Sequence, residues 1–313
     1  MEETRRDGEW PRPNLFVIGA MKAGTTSLHA LLDSHPDVFM SDPKEPTHFV
    51  DGDELRSVSR RAWEAGYWRD RDRYLDLFSQ GDAAAIRGES STAYAKRPRL
   101  GGVPERIAAH APGARIVYIL RDPIRRTVSH YLHAVQWNDE HRPPLEAVRE
   151  DPHYREVSHY AMQLEPWRRI LGHDRIHVIT LESLKARPAE VARELFEWLG
   201  VDPTQVTPRG SPRNVTRTDV VRKRGPALLR RARTSAPVRA LKRRLPWTVR
   251  ELARRVLDEP VGWESGRMDA LVDYLRPIQL AETAVLEEML GRTFPEWTML
   301  DRPPRDDGPA ERS

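Results

Sequence analysis

The run Gly19-Ala20-Met21-Lys22-Ala23-Gly24-Thr25-Thr26-Ser27 has the residue types that hold an anion. Small residues let the backbone curl closely around such a group, so that successive N–H groups point inward. A helix opening on the hydroxyl residues adds its positive end. Lys22 supplies a full charge, and Thr25, Thr26 and Ser27 supply short donors. The loop is not a Walker A motif, which places lysine directly after the second glycine. Here the lysine precedes Gly24 by two residues. Taken alone, the run is also compatible with an ordinary strand-to-helix turn.

Two further constellations carry chemistry. Arg121-Asp122-Pro123 closes an apolar run, and Ser129 follows eight residues after Arg121. Two helical turns bring such a serine back over the strand end, where a guanidinium fork and a hydroxyl form a phosphate site. The plainer alternative makes Arg121 and Asp122 a capping ion pair. In Pro43-Lys44-Glu45-Pro46-Thr47-His48-Phe49, two prolines hold a lysine beside a glutamate. Group transfer needs alignment, cover for developing charge and a base, which suits Glu45 as base and Lys44 as stabiliser. A solvated loop glutamate is the competing reading.

These residues need elements to position them. Residues 15–18 are a buried strand ending at Gly19, and residues 25–32 a helix opening on hydroxyls. Residues 38–40 are a second strand, and residues 63–78 carry apolar side chains at helical spacing. Residues 115–120 are the clearest strand, with Pro123 in the first turn of a helix reaching about Trp137. Residues 176–181 form another strand, and residues 188–199 a helix stopped by Gly200. Residues 268–290 are a final amphipathic helix. Alternating strands and helices predict a three-layer α/β fold with a mainly parallel sheet of P-loop NTPase-like topology. Residues 1–12 read as a disordered lead-in, 13–300 as one domain and 301–313 as a loose tail.

The chain has 313 residues, a net charge of +4 and no cysteine, which excludes disulfides, thiolate metal ligands and a cysteine nucleophile. No metal site is expected. Absence of a secretory signal and of an 18-residue apolar run points to a cytoplasmic protein. Arginine supplies 45 of the 51 positive residues. The modest net charge implies no specific nucleic-acid partner. Residues 222–250 read as a basic helical segment without acids, suited to peripheral contact with an anionic surface.

Together the motifs resemble PAPS-dependent sulfotransferases (PAPS is 3′-phosphoadenosine 5′-phosphosulfate), nearest to heparan-sulfate-type carbohydrate sulfotransferases and their bacterial relatives. The run from Lys22 through Ala23, Gly24, Thr25 and Thr26 to Ser27 resembles the family's 5′-phosphosulfate loop. Arg121 and Ser129 resemble its 3′-phosphate motif, and Lys44-Glu45 its K-E-x-x-F-F element, where the glutamate is the base. Two phosphate sites at neighbouring strand ends match a bisphosphorylated nucleotide and favour PAPS over ATP. The resemblance implies sulfuryl transfer by in-line displacement to a hydroxyl or amine of a small molecule or glycan. PAPS would be the co-substrate and adenosine 3′,5′-bisphosphate (PAP) the product.

Gly88-Glu89-Ser90-Ser91-Thr92-Ala93-Tyr94 resembles a cleft-lining segment, with Ser90 where some relatives carry lysine. Ser158, Tyr160, Gln163, Leu164 and Trp167 resemble a later family helix. Histidine stands one residue later than in some relatives, at His48. Two other readings compete. A P-loop-type ATP-dependent small-molecule kinase is disfavoured by the displaced lysine and the lack of a Walker B strand. A basic module docking through residues 222–250 leaves both phosphate motifs unexplained.

Overall fold

The computed structural model describes residues 12–137, 140–205, 221–223, 258–260 and 265–301. The chain runs β1 (Leu15–Gly19), α1 (Thr25–Leu32), β2 (Val38–Met40), then short helices α2 (Gly52–Val58), α3 (Arg60–Ala65) and α4 (Arg71–Asp76). β3 (Ile86–Ser90), α5 (Val103–His110), β4 (Arg115–Leu120) and α6 (Pro123–Trp137) follow. Next come α7 (Pro144–Glu150), α8 (His153–Glu156), α9 (Tyr160–Leu171), β5 (Ile176–Thr180), α10 (Leu181–Ala186) and α11 (Pro188–Leu199). A short antiparallel pair, β6 (Val221–Lys223) and β7 (Asp258–Pro260), precedes α12 (Ser265–Leu290) and α13 (Thr298–Asp301).

Five strands form a parallel sheet in the order β2-β3-β1-β4-β5. Side chains alternate across each strand, and both faces are covered. Phe16, Ile18, Ile116, Tyr118 and Leu120 join one core with Leu164 and Trp167 of α9. Leu15, Val17, Val117 and Ile119 join the other with Leu28 and Leu32 of α1 and Leu195 and Phe196 of α11. The three-layer α/β fold and parallel sheet expected from the sequence are therefore present. β1 lies between β3 and β4, so the chain reverses direction across the sheet there, and such switch points leave a crevice beyond the carboxyl ends of the strands.

Several local expectations are corrected. Residues 63–78 are not one helix: Gly66 takes φ +80, a left-handed cap that ends α3, and Asp70 caps a separate α4. β5 stops at Thr180, whose hydroxyl accepts the Ser183 N–H, so Leu181 begins α10 instead of ending the strand. The basic segment 222–250 opens in β6, and its remainder lies outside the described residues, as do residues 1–11 and 302–313.

Candidate active site

The donor-type loop leaves β1 and enters α1. The Ala20 N–H donates to the Ile119 carbonyl at 2.7 Å, tying the loop to β4, and the Ala23 N–H donates back to the Ala20 carbonyl at 3.1 Å. Gly24 forms the N-cap of α1 with φ +94, and no side chain caps the helix. A Cβ on Gly24 would lie 2.6 Å from Leu181 Cδ1, so a larger residue would have to displace that side chain as well as adopt a strained dihedral. Among the described residues, the N–H groups of Gly24, Thr25 and Thr26 have no protein acceptor. A helix start with free amides is where an anion is stabilised.

Lys22 is half-buried, and burial together with the Arg121 charge pushes its pKa below the ordinary lysine range. Ala23 and Thr25 are buried, Gly24 and Ser27 half-buried and Thr26 exposed. Arg121 lies at the end of β4 and donates from Nη1 to the Lys22 carbonyl at 3.1 Å, joining the two anion motifs directly. Its own carbonyl accepts from the Tyr160 hydroxyl at 2.7 Å. Arg121 does not pair with Asp122. The Asp122 carboxylate caps α6 through the Ile124 and Arg125 N–H groups, both at 3.0 Å, and its other oxygen accepts from Met299 N–H at 2.8 Å. The guanidinium is thus not taken up by its neighbour. Ser129 stands two turns into α6, is 4% exposed, and its hydroxyl has no hydrogen-bond partner among the described residues. A buried hydroxyl left unpaired costs about 1–3 kcal/mol, and one left free to donate can serve an acceptor atom of a ligand.

The acceptor-type loop follows β2. Lys44 Nζ donates to Thr25 Oγ1 at 3.1 Å and to Glu45 Oε1 at 3.3 Å, bridging the donor-type loop to the glutamate. Thr92 holds the Glu45 carboxylate from the other side: its N–H donates to Oε2 at 3.0 Å and its hydroxyl lies at 3.1–3.2 Å from both oxygens. The Glu45 side chain remains 36% exposed, so it is oriented yet reachable. Lys22, Glu45 and Thr47 are the non-glycine residues with positive φ among those described, at +69, +66 and +57. Such conformations cost on the order of 1 kcal/mol each and collect at functional sites.

His48 is placed elsewhere. It stacks on Tyr74 with ring centroids 4.1 Å apart, and its Nδ1 is bonded to the Tyr67 carbonyl at 2.6 Å, which makes it a packing residue. Glu89 is fully buried and accepts from Tyr94 at 2.6 Å, Tyr74 at 3.0 Å and Ser91 at 3.1 Å. Burial pushes its carboxyl up to about 7. Ser91 Oγ in turn accepts the Thr47 N–H at 3.1 Å, so Glu89 supports the Glu45 loop from beneath. Ser90, fully buried, shares a 2.8 Å hydrogen bond with His29 Nδ1. The supporting role of Thr92 was not read from the sequence. Its signal was the hydroxyl-rich Ser90-Ser91-Thr92 run following a strand, within a segment already noted for its resemblance.

A sequence profile described as the sulfotransferase family matches residues 13–205, which holds the donor-type loop, Glu45, Arg121 and Ser129. The chain belongs to the sulfotransferase family. It is 30% identical over 135 residues to the membrane-associated sulfotransferase kil1 of Dictyostelium discoideum, covering 43% of this chain and 26% of that protein. It is 28% identical over 207 residues to human bifunctional heparan sulfate N-deacetylase/N-sulfotransferase 3, covering 61% of this chain and 22% of the relative. Mouse heparan sulfate glucosamine 3-O-sulfotransferase 3A1 is 26% identical over 209 residues, 62% of this chain and 47% of the relative. The chain therefore spans less than half the length of these relatives. Among solved structures, a sulfotransferase from Alicyclobacillus acidocaldarius superposes with a TM-score of 0.63 at 23% identity, covering 91% of this chain and 98% of that one. The chain thus shares its fold with that neighbour across nearly its full length. No helix among the described residues is long and apolar enough to cross a membrane, and no cluster of metal-ligating side chains occurs among them.

Proposed function

We propose that the chain transfers the sulfuryl group of PAPS to a hydroxyl or amine of a small-molecule or glycan acceptor. The observation that carries this reading is Lys44, which contacts Thr25 of the donor loop and Glu45 of the acceptor loop at 3.1 and 3.3 Å. One ammonium thereby sits between the anion cradle and the carboxylate, where charge would develop during transfer. PAPS supplies the activated sulfuryl group, carried on its 5′-phosphate. The Gly24, Thr25 and Thr26 amides and Lys22 bind and neutralise the 5′ end. Arg121 and Ser129 bind the 3′-phosphate, which the unpaired Ser129 hydroxyl supports. Glu45 takes the acceptor's proton as the new bond to sulfur forms, and Lys22 stabilises the electron pair left on the 5′-phosphate oxygen.

A glycan acceptor is favoured by the names of two relatives, a heparan sulfate N-sulfotransferase and a heparan sulfate glucosamine 3-O-sulfotransferase. The test incubates the protein with PAPS carrying radiolabelled sulfate and with amine- and hydroxyl-bearing oligosaccharides and small molecules. Label should pass to an acceptor with an equal release of PAP. Release of PAP without labelled product from any acceptor, or neither event, would contradict transfer.

A further inference from the structure

Glu182 takes no part in that scheme, yet its carboxyl is bonded to the turn that carries Arg121. It is the second residue of α10, half-buried, and its Oε1 accepts the N–H of Asp122, the residue after Arg121, at 3.2 Å. The residue before it, Leu181, places Cδ1 where a side chain on Gly24 of the donor loop would begin. The other carboxyl oxygen of Glu182, Oε2, is closed off from solvent and has no hydrogen-bond partner among the described residues. An ionised carboxylate with one oxygen dry and unpaired is costly, and the neutral acid is far less so.

The groups around that carboxyl leave Arg121 as its main attraction. Asp122 is taken up by the Ile124, Arg125, Met299 and Leu300 N–H groups. Tyr160 of α9 gives its hydroxyl to the Arg121 carbonyl at 2.7 Å. Beneath α10, Glu296 accepts from the Thr180 hydroxyl at 2.7 Å. Arg125, in the first turn of α6, repels Arg121. Arg121 itself forms no ion pair among the described residues, so its charge is open to a ligand. Burial outweighs the Asp122 N–H and the Arg121 charge and holds the Glu182 carboxyl above the ordinary glutamate range. An anion seated on Arg121 would cancel the attraction and add repulsion, driving the carboxyl toward its neutral form.

We propose that Glu182 is a positioning residue of the phosphate site built on Arg121, and that it takes up a proton when a 3′-phosphate binds there. As a neutral acid it keeps the Asp122 N–H, and with it the Arg121 turn, without competing for the guanidinium. The proton comes from solvent, and no bond of the nucleotide changes. This deepens the donor reading above and rests on it. By reciprocity, nucleotide affinity falls as pH rises through the range in which the free protein's Glu182 ionises.

The test titrates the whole chain calorimetrically with PAP and with adenosine 5′-phosphate at pH 6 and pH 8.5. Wild type is compared with Glu182→Gln, which keeps an acceptor for the Asp122 N–H and carries no charge. Ionisation of the nucleotide acts on both proteins alike and drops out of the comparison. The two should bind PAP within about twofold of each other at pH 6. At pH 8.5 Glu182→Gln should bind it about tenfold more tightly than the wild type, the effect of one pKa unit. Adenosine 5′-phosphate, which lacks the 3′-phosphate, should show no such divergence. In the wild type alone, PAP should bring in more proton at pH 7 than adenosine 5′-phosphate does, read from binding heats in buffers of different ionisation enthalpy. No PAP binding by the wild type at either pH overturns the donor reading, and this inference with it. PAP binding with parallel pH profiles in the two proteins, or with equal proton uptake for the two nucleotides, overturns this inference alone. A change in melting temperature without a change in those profiles would make Glu182 a structural acid.

Discussion

Lys22, Glu45, Arg121 and Ser129 divide the proposed chemistry among them, and each makes a separate prediction. Lys22→Ala should leave a folded protein whose turnover with PAPS is nearly lost, because the lysine acts on charge at the leaving oxygen. Wild-type turnover would remove Lys22 from the site. Glu45→Gln keeps the size and much of the hydrogen bonding to Thr92 but removes the base. Its activity should fall roughly a hundredfold while PAP still binds. Arg121→Ala should weaken PAP by about 2 kcal/mol or more and leave adenosine 5′-phosphate almost unchanged. Ser129 discriminates binding from folding. Its hydroxyl is buried and unpaired among the described residues, so Ser129→Ala should not lower the melting temperature, yet it should weaken PAP severalfold. A loss of stability with unchanged PAP affinity would make Ser129 a structural serine.

At the scale of elements, the site depends on how β4 hands over to α6. Asp122 is buried, caps α6 through two N–H groups and accepts Met299 and Leu300 N–H groups of α13 at 2.8 and 3.3 Å. Asp122→Ala removes four acceptor contacts and should cost about 2–4 kcal/mol, read as a shift in the urea midpoint. An unchanged midpoint would show that the cap is dispensable. Much of this level was legible. β1, β4 and α6 were readable because buried parallel strands form continuous apolar runs and Pro123 marks a helix start. β3 was not. Ile86-Arg-Gly-Glu-Ser holds two charged residues and a glycine, and it qualifies as a strand only through its neighbours. A Cβ on Gly88 would meet Met40 Sδ at 2.7 Å, so a larger residue would have to displace the Met40 side chain of β2, a contact no local pattern carries. The Lys22, Arg121 and Glu45 motifs were visible as sequence because each is contiguous or one helix apart. Their supports, Thr92 and Glu89, were not, because they reach Glu45 and Tyr74 only through tertiary contact.

Across the whole molecule, half-buried and buried histidines set the response to pH. Burial holds His29, His110, His133, His159 and His177 at about 4 and His153 at about 3. A base whose folded pKa lies below its unfolded 6.5 contributes stability that is complete above pH 6.5 and lost as pH falls toward 4. Glu89, raised to about 7, acts in the opposite sense, destabilising as pH rises from about 4.5 to 7. Six histidines outweigh that carboxyl. The melting temperature should fall between pH 7 and pH 5, and Glu89→Gln should steepen the fall. A flat or rising profile would contradict the burial of these rings.

The central claim is that the two anion motifs on β1 and β4 form one site for a 3′-phosphorylated adenine nucleotide. The most direct measurement is the melting temperature of the whole chain with PAP, with adenosine 5′-phosphate and with ATP and magnesium, each at the same concentration. A ligand of the native state raises the melting temperature in proportion to its occupancy. The account predicts a clear rise with PAP and little or none with the other two. A rise with ATP and magnesium equal to or above that with PAP would contradict it.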